Sequence, residues 1–287
     1  MNKRQKREKL MKTVFMVSAL TGILSVALIC LFLFMHGFPA MGKIGVFDFL
    51  GGREWAPNNV PAKFGIFPMI MGSIYVTAGA VILGVPIGIL TAVFMAKICP
   101  KNIYVFLKPA VDLLAGIPSV VYGFFGMVVL VPFVRNTFGG NGSSILTASI
   151  LLGLMILPTI IAITETSIRA VPDELYDGAL ALGASHERSV MKVILPAAKS
   201  GILAGVVLGV GRAIGETMAV IMVAGNQARM AGGVLEGVRT LTANIVLEMG
   251  YATGLHREAL IATGVVLFIF ILIINLCFSA LRKESAK

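Results

Sequence analysis

Residues 177–196 read DGALALGASHERSVMKVILP, a short amphipathic stretch that lies between two long apolar segments. With the preceding Leu175, the residues Ala179 and Leu182 share one helical face at the i, i+4, i+7 spacing. An amphipathic helix of this kind commonly places its apolar face in the groove of a partner. The alternative is that this face covers the protein's own helices. Either arrangement puts a short helical segment at the membrane surface, between two spans.

The residues around this stretch carry signals for two short helices. Pro172 suits a first helical turn, where its missing N–H has no partner to lose, and the acids at 173–174 favour the positive end of the helix dipole. Gly183 predicts a left-handed end for this first helix. Ser185 predicts the N-cap of a second helix, and Pro196 restricts how that helix continues.

The composition indicates a membrane protein. The 287 residues are 57% hydrophobic and 13% charged, with a mean hydropathy of +0.92, whereas soluble domains carry about 25% charged residues. Six apolar stretches meet the roughly 20-residue length of a transmembrane helix. They cover residues 13–35, 67–95, 109–134, 145–167, 201–225 and 259–281.

The basic residues predict the orientation of the chain. Of the 24 Lys and Arg residues, 16 lie in the N-terminus, the second and fourth connections and the tail, and seven lie in the other connections. The positive-inside rule then places both termini and the 177–196 loop in the cytoplasm. The net charge of +10 is spread over several loops rather than one soluble face, so no nucleic acid partner is expected.

The fifth apolar stretch has small residues at every fourth position, in the series Gly201, Gly205, Gly209 and in the pair Gly211, Gly215. This spacing lets helix backbones approach closely in lipid, so the helix is expected to pack among others. Prolines within or at the ends of spans predict kinks around a cavity, with ordinary curvature as the alternative. They are Pro86, Pro118, Pro132 and Pro158.

The longest exterior connection is predicted at residues 36–66. Its Gly, Pro and Asn content is typical of a loop, with a short interfacial helix around Val46–Leu50 and Trp55 as an anchor at the membrane interface. The Cys and His residues are scattered and fit neither a disulfide framework nor the spacing of a metal site. Packing roles are therefore expected for Cys30, Cys99, Cys277, His36, His186 and His256.

Arg212 lies near the middle of the fifth apolar stretch, with Glu216 one helical turn further on and Thr217 beside it. A lone Arg at the bilayer centre costs about 2.5–3.5 kcal/mol on insertion scales, so it is expected to face the helix bundle and to pair with Glu216. One interpretation is an ion pair that only holds the helix in register. The other is an anion pathway built from Arg212, Glu216 and Thr217, in which the arginine attracts the anion and the glutamate limits how tightly it is held.

The sequence contains no G-x-x-x-x-G-K-[ST] phosphate loop, and no Ser/His/Asp or paired-carboxylate arrangement indicates covalent chemistry. The chain is therefore expected not to be an enzyme and to hold no cofactor of its own. ATP hydrolysis, where it is needed, requires another chain.

The 177–196 stretch resembles the EAA motif of ABC importer permeases, in which E-A-A is followed by three residues, a Gly, nine residues and I-x-L-P. Asp177-Gly178-Ala179 stands at the E-A-A, Val193 replaces the Ile, and the Gly, Leu and Pro positions match. In that family the motif is the cytoplasmic loop that docks on a separate ATPase. The resemblance implies docking through Asp177, Ala179, Leu182, Gly183, Ala184, Leu195 and Pro196.

Two further stretches, LLAGIPSVVYGFFGMVVLVP at 113–132 and GRAIGETMAVIMVAGN at 211–226, closely resemble PstC-type permease subunits of phosphate-specific ABC importers. This resemblance implies an all-α polytopic membrane protein with six transmembrane helices, namely a five-helix type I ABC importer permease core plus a peripheral N-terminal helix. The resemblance implies three parts: residues 1–66 hold the basic N-terminus, first helix and exterior loop, residues 67–281 hold the core with coupling helices at about 172–196, and residues 282–287 form the cytoplasmic tail.

The resemblance also implies partners and a location. The expected assembly combines this chain with a second permease of PstA type, two PstB-type ATPases that hold ATP and Mg, and a PstS-type phosphate-binding protein. It would move inorganic phosphate across the bacterial or archaeal plasma (inner) membrane, in contact with membrane lipid. The alternatives are a permease for another oxyanion such as sulfate or molybdate, a passive anion channel or ion-coupled carrier, and a sensory scaffold. The docking loop argues against a passive pore, which requires no ATPase.

Overall fold

The computed structural model describes residues 3–284, so residues 1–2 of the predicted N-terminal unit and residues 285–287 of the predicted tail lie outside the described residues. Within residues 3–284 the chain forms fourteen α-helices, which are α1 Lys3–Ile44, α2 Val46–Gly51, α3 Phe67–Val93, α4 Lys101–Gly116, α5 Ser119–Phe125, α6 Val131–Phe138, α7 Ile145–Arg169, α8 Asp173–Ala181, α9 His186–Ser189, α10 Leu195–Ala197, α11 Lys199–Gly215, α12 Met218–Val223, α13 Leu241–Glu248 and α14 Gly254–Glu284. Turns of π-helix lie at Phe94–Ile98, Gly126–Leu130 and Val190–Ile194. The strands β1 Trp55–Ala56 and β2 Lys63–Phe64 pair antiparallel.

These helices confirm an all-α membrane protein, with five or six candidate transmembrane spans where the sequence predicts six. Five segments of the described chain are long and apolar enough to cross a bilayer, and a sixth reaches that length as a bent pair, His186–Ala197 with Lys199–Gly215, whose axes meet at 70°. The five continuous spans are Arg7–Ile44, Phe67–Ile98, Ser119–Phe138, Ile145–Arg169 and Gly254–Cys277.

The first span is peripheral to the other five. α1 is exposed from residue 7 to residue 29 and packs mainly on α14, where the rings of Phe34 and Phe268 lie 5.7 Å apart. Its continuation, α2, is the short helix that the sequence predicts around Val46–Leu50. The main apolar core lies between α3 and α7, with Ala80, Leu151 and Ile156 fully buried.

Two predicted spans have wrong boundaries. The span predicted at 109–134 is interrupted at Ile117, which is extended (φ −70°, ψ 125°) because the following Pro118 disfavours helical backbone at the residue before it. Its first residues belong to the separate amphipathic helix α4, and the span itself begins at Ser119.

The span predicted at 201–225 is also wrong, because α11 ends at Gly215. Glu216 is extended there (φ −69°, ψ 130°), and the short helix α12 follows. The physical reason lies in the Glu216 carboxylate, which bonds the first N–H groups of α12 and so favours a new helix start.

The first predicted glycine series packs α11 closely on α7, as expected. A Cβ atom at Gly209 would lie 2.9 Å from Cγ1 of the fully buried Ile160. The predicted pair Gly211 and Gly215 differs, because a Cβ atom at either position would have no neighbour within 4 Å in the described chain. This face of α11 is therefore open in the single chain.

We expect Gly209→Val to lower the melting temperature of the detergent-purified chain, because the new side chain overpacks the α11–α7 contact at a typical cost of about 1–3 kcal/mol. Gly211→Val is the matched control, since it removes the same glycine freedom from the same helix without a neighbour to displace. Equal melting temperatures for the two variants would show that the contact at Gly209 does not limit stability.

Candidate functional site

The loop between the fourth and fifth spans is a helix–turn–helix, as the sequence predicts. α8 begins after Pro172 and ends at Ala181, and Gly183 follows two residues later with a left-handed φ of +84°. The N–H of Ala184 donates to Ala179 O at 3.1 Å, and the N–H of Gly183 donates to Leu180 O at 2.9 Å. These two bonds form a Schellman end, which satisfies carbonyls that the finished helix leaves free.

The second helix of the loop also starts where the sequence places it. The N–H of Arg188 donates to Ser185 Oγ at 3.3 Å, so Ser185 is the N-cap of α9. Glu187 is exposed, and hydrogen bonds from its own backbone N–H and from the Ser185 hydroxyl lower the pKa of its carboxyl group. The chain then passes through a π turn and Pro196 into the 70° bend before α11.

One side of this loop covers the bundle and the other is open. Val190 and Ile194 are buried against Val93 and Ile168, at the ends of α3 and α7. Of the predicted common face of Leu175, Ala179 and Leu182, only Ala179 is buried, so this face does not cover the chain's own bundle. Leu182 is 91% exposed and Leu175 is 46% exposed, since Leu182 lies at the helix end and departs from helical backbone geometry. Among the other predicted docking residues, Asp177, Gly183 and Pro196 are exposed, and Ala184 and Leu195 are partly buried.

Four polar side chains meet where the loop joins the bundle. Lys97 Nζ lies 3.3 Å from Asp173 Oδ1 and 5.5 Å from the centre of the Tyr176 ring. The Tyr176 hydroxyl is 2.6 Å from Nδ1 of His186. Sequence reasoning assigned His186 only a packing role. The available signal was an aromatic residue and a histidine on consecutive short helices.

The second predicted site lies at the interruption of the fifth span. Arg212 is half-buried, and its NH1 donates to the hydroxyl of Thr159 on α7 at 3.3 Å. The predicted Arg212–Glu216 pair is wrong: within residues 3–284 no ion pair joins these two side chains. The i, i+4 spacing aligns them only on a continuous helix, and this helix ends at Gly215.

Glu216 instead caps the next helix. Its Oε1 accepts the N–H of Thr217 at 3.1 Å and that of Ala219 at 3.2 Å, and a carboxylate is favoured at this end of a helix. The Thr217 hydroxyl donates to Gly215 O at 3.2 Å. Both side chains are therefore engaged locally, while the partner of Arg212 is neutral. Thr159, which sequence reasoning missed, belongs to this site.

A buried carboxylate near the docking loop also escaped the sequence analysis. Glu165 is 2% exposed and accepts the Tyr104 hydroxyl at 2.7 Å and Arg169 Nε at 2.9 Å, and Lys108 Nζ lies 3.4 Å from its other oxygen. The hydrogen bond to Glu165, together with burial, raises the pKa of Tyr104. Burial lowers the pKa of Lys108, but the Glu165 and Asp112 carboxylates outweigh it and leave the pKa raised. This cluster joins α4 to α7. The sequence feature that could have predicted it is a glutamate, Glu165, within an apolar span.

A second buried carboxylate holds the opposite side of the bundle together. Glu248, 6% exposed, accepts Trp55 Nε1 at 2.8 Å, lies 2.8 Å from His256 Nε2 and pairs with Arg239. Trp55 is itself 8% exposed. The expectation of an interfacial tryptophan anchor is therefore wrong, because its indole N–H is used to satisfy this carboxylate.

Known proteins with similar sequences are membrane transport permeases. The sequence profile of the family described as "binding-protein-dependent transport system inner membrane component" matches residues 84–284. The probable ABC transporter permease protein YqgH of Bacillus subtilis is 39% identical over 90% of this chain and 86% of its own length. The phosphate transport system permease protein PstC of Mesorhizobium japonicum is 35% identical over 84% of this chain and 80% of its own length.

Solved structures share the fold at low sequence identity. A chain of a bacterial alginate ABC transporter superposes with a TM-score of 0.67 at 17% identity, over 99% of this chain and 98% of that one. A chain of the MetNI methionine ABC transporter gives 0.64 at 19% identity, over 77% and 96%. The chain therefore belongs to the family of binding-protein-dependent transport system inner membrane components, the permease subunits of ABC importers.

Proposed function

We propose that this chain is a transmembrane permease subunit of an ATP-driven inorganic phosphate importer, in which it forms half of the translocation path. The observation that carries the proposal is Arg212, a cation within the span that is bonded to the neutral hydroxyl of Thr159 rather than to a carboxylate. An intramembrane charge marks an ion pathway by default, and an arginine without a counter-ion suits a phosphate oxyanion. The 35% identity to a PstC phosphate permease supports phosphate over sulfate or molybdate.

The open side of the docking loop supports the ATP-driven part of the proposal, in which the chain docks on a separate ATPase. Leu182 is 91% exposed and Met191 is 56% exposed, beyond the membrane end of α7, and apolar side chains at such a site fit the groove of a partner. We assign this side to a separate ATPase, which holds ATP and Mg. The complete transporter would then combine two permeases, of PstC and PstA type, with two PstB-type ATPases and a PstS-type binding protein.

We expect Arg212→Met to assemble with its partners and to take up labelled phosphate at least about tenfold more slowly, because a charge-assisted hydrogen bond contributes about 1.5–3 kcal/mol. Assembly should survive, since no carboxylate loses its counter-ion. Thr159→Val is the control that removes the neutral partner and keeps the charge, and its uptake should fall less. Wild-type uptake by an assembled Arg212→Met transporter would refute the pathway role, and unlabelled sulfate or molybdate that competes as well as phosphate would refute the substrate.

We expect Leu182→Glu to reduce co-purification of the ATPase subunit, because burying a leucine in a partner's groove contributes about 1.5–3 kcal/mol. The side chain touches little of its own chain, so the melting temperature should stay unchanged. Val60→Glu alters another fully exposed apolar residue, on the predicted exterior loop, and should retain the ATPase. Stoichiometric ATPase bound to Leu182→Glu would contradict docking at this surface.

We expect both termini and the docking loop to face the cytoplasm, from the distribution of basic residues. In a chain whose three native cysteines are replaced by serine, an impermeant thiol reagent added to intact cells should label Val60→Cys and leave Lys9→Cys and Leu182→Cys unlabelled. Lys9→Cys should react once the membrane is opened, and Leu182→Cys should react once the ATPase has also been stripped from the chain. Labelling of Lys9→Cys in intact cells would reverse the orientation.

A further inference from the structure

We propose that Lys97, Tyr176 and His186 are positioning residues that form a strut, which carries movement of the docking loop to the membrane ends of α3 and α7. The proposal rests on the proposed function, in that it takes the 172–196 loop as the surface that an ATPase moves. It assigns the strut no part in holding the ATPase. Its role is to convert ATPase movement into movement of the spans.

The outer end of the strut makes the two docking helices move together. Tyr176 lies on α8 and His186 begins α9, and their side chains are joined at 2.6 Å across the turn. Around that turn, Leu182 and Gly183 are exposed, and the same Tyr176 ring packs against the apolar cluster that contains Val190 and Ile194. The Tyr176–His186 hydrogen bond is thus a polar side-chain link between α8 and α9.

The inner end of the strut lies on a firmly held turn. Lys97 is 14% exposed in its side chain, whereas its partner Asp173 is 83% exposed, so the lysine is the fixed member of that contact. Lys97 belongs to the π turn Phe94–Ile98 that ends the second span. In the same turn Met95 is 1% exposed, and its carbonyl accepts Arg169 NH2 at 2.9 Å. The turn is therefore tied to the end of α7 as well as to α3.

α7 connects the turn at Lys97 with the candidate ion site at Arg212. Arg169 is bonded to the buried Glu165 at 2.9 Å, one turn closer to Thr159 on the same helix. Thr159 and Arg169 are ten residues apart on α7, which corresponds to about 15 Å of continuous helix. Because Thr159 is the hydrogen-bond partner of Arg212, a displacement of α7 changes the surroundings of that arginine.

Tyr176→Phe is the sharpest test because it removes one oxygen atom. The ring keeps its place against Lys97 and the apolar cluster with Ile168, and the half-buried His186 ring can bond to water instead. Docking surface and fold should both remain. Lys97→Met removes the inner end of the strut, and Lys97→Arg restores a cation able to stack on Tyr176 and to pair with Asp173. Lys101→Met, on the exposed first turn of α4, is the matched control.

The complete transporter is reconstituted in proteoliposomes with its partner permease, ATPase and binding protein. Labelled phosphate uptake and ATP hydrolysis are measured on the same preparation, together with the ATPase retained on the tagged chain. We expect Tyr176→Phe and Lys97→Met to retain the ATPase and to move about fivefold fewer phosphate ions per ATP hydrolysed, the factor that corresponds to a coupling of about 1 kcal/mol. Lys97→Arg should recover most of that ratio, and Lys101→Met should keep it.

An unchanged ratio in Tyr176→Phe and Lys97→Met would overturn the strut. Loss of the ATPase from either variant, while the wild-type chain retains it, would also overturn the strut and make these residues part of the docking surface. Failure of the wild-type chain to retain an ATPase would instead refute the docking proposal itself. If Lys97→Met fails to assemble, the one-atom change in Tyr176→Phe decides the question alone.

Discussion

A bilayer offers no water to a free backbone group, so the chain itself must satisfy every interruption of a span. At the break before the third span, the Tyr122 hydroxyl donates to Leu114 O at 2.9 Å. At the break after α11, the Glu216 carboxylate accepts two backbone N–H groups, and beyond α12 the Asn226 amide donates to Ile221 O at 2.7 Å. Side chains therefore specify where the spans break. Polar groups that the sequence suggests as ligands, such as Glu216, instead hydrogen-bond to the free backbone groups at these breaks.

This requirement separates two charges that the sequence brings together. Arg212 and Glu216 stand one turn apart only while the helix continues, and the helix ends between them, where the Glu216 carboxylate accepts the N–H groups of Thr217 and Ala219. Arg212 is left with one hydroxyl partner and with an open face formed by Gly211 and Gly215. Such an arrangement agrees with the proposed anion pathway, because a buried ion pair would largely neutralise the arginine.

Local pattern sufficed for much of the fold and for the docking loop. Apolar length gave the number of spans, Gly183 and Ser185 gave the ends of two short helices, and the glycine series gave the face of α11 that meets α7. Contacts between distant segments could not be predicted, because a single sequence does not show which residues contact each other in the fold. Tyr104 and Glu165 are 61 residues apart, and Trp55 and Glu248 are 193 residues apart. The Arg212–Glu216 error has a different, local origin, since the Glu216 carboxylate bonds to backbone N–H groups one and three residues further on, and this new helix start overrode the i, i+4 spacing.

α7 connects the features that the function requires. It is the most enclosed of the five continuous spans, the end next to the 172–196 loop carries Glu165 and Arg169, its middle carries Thr159, and its surface accepts the glycines of α11. The seam between α7 and α11 thus holds the arginine through one hydrogen bond, typically of about 1.5–3 kcal/mol when one partner is charged. A small shift of one helix along the other exchanges this bond for another without stranding a buried carboxylate. If Arg212 serves the proposed anion pathway, its neutral partner Thr159 would allow the site to be reset at low energetic cost during transport.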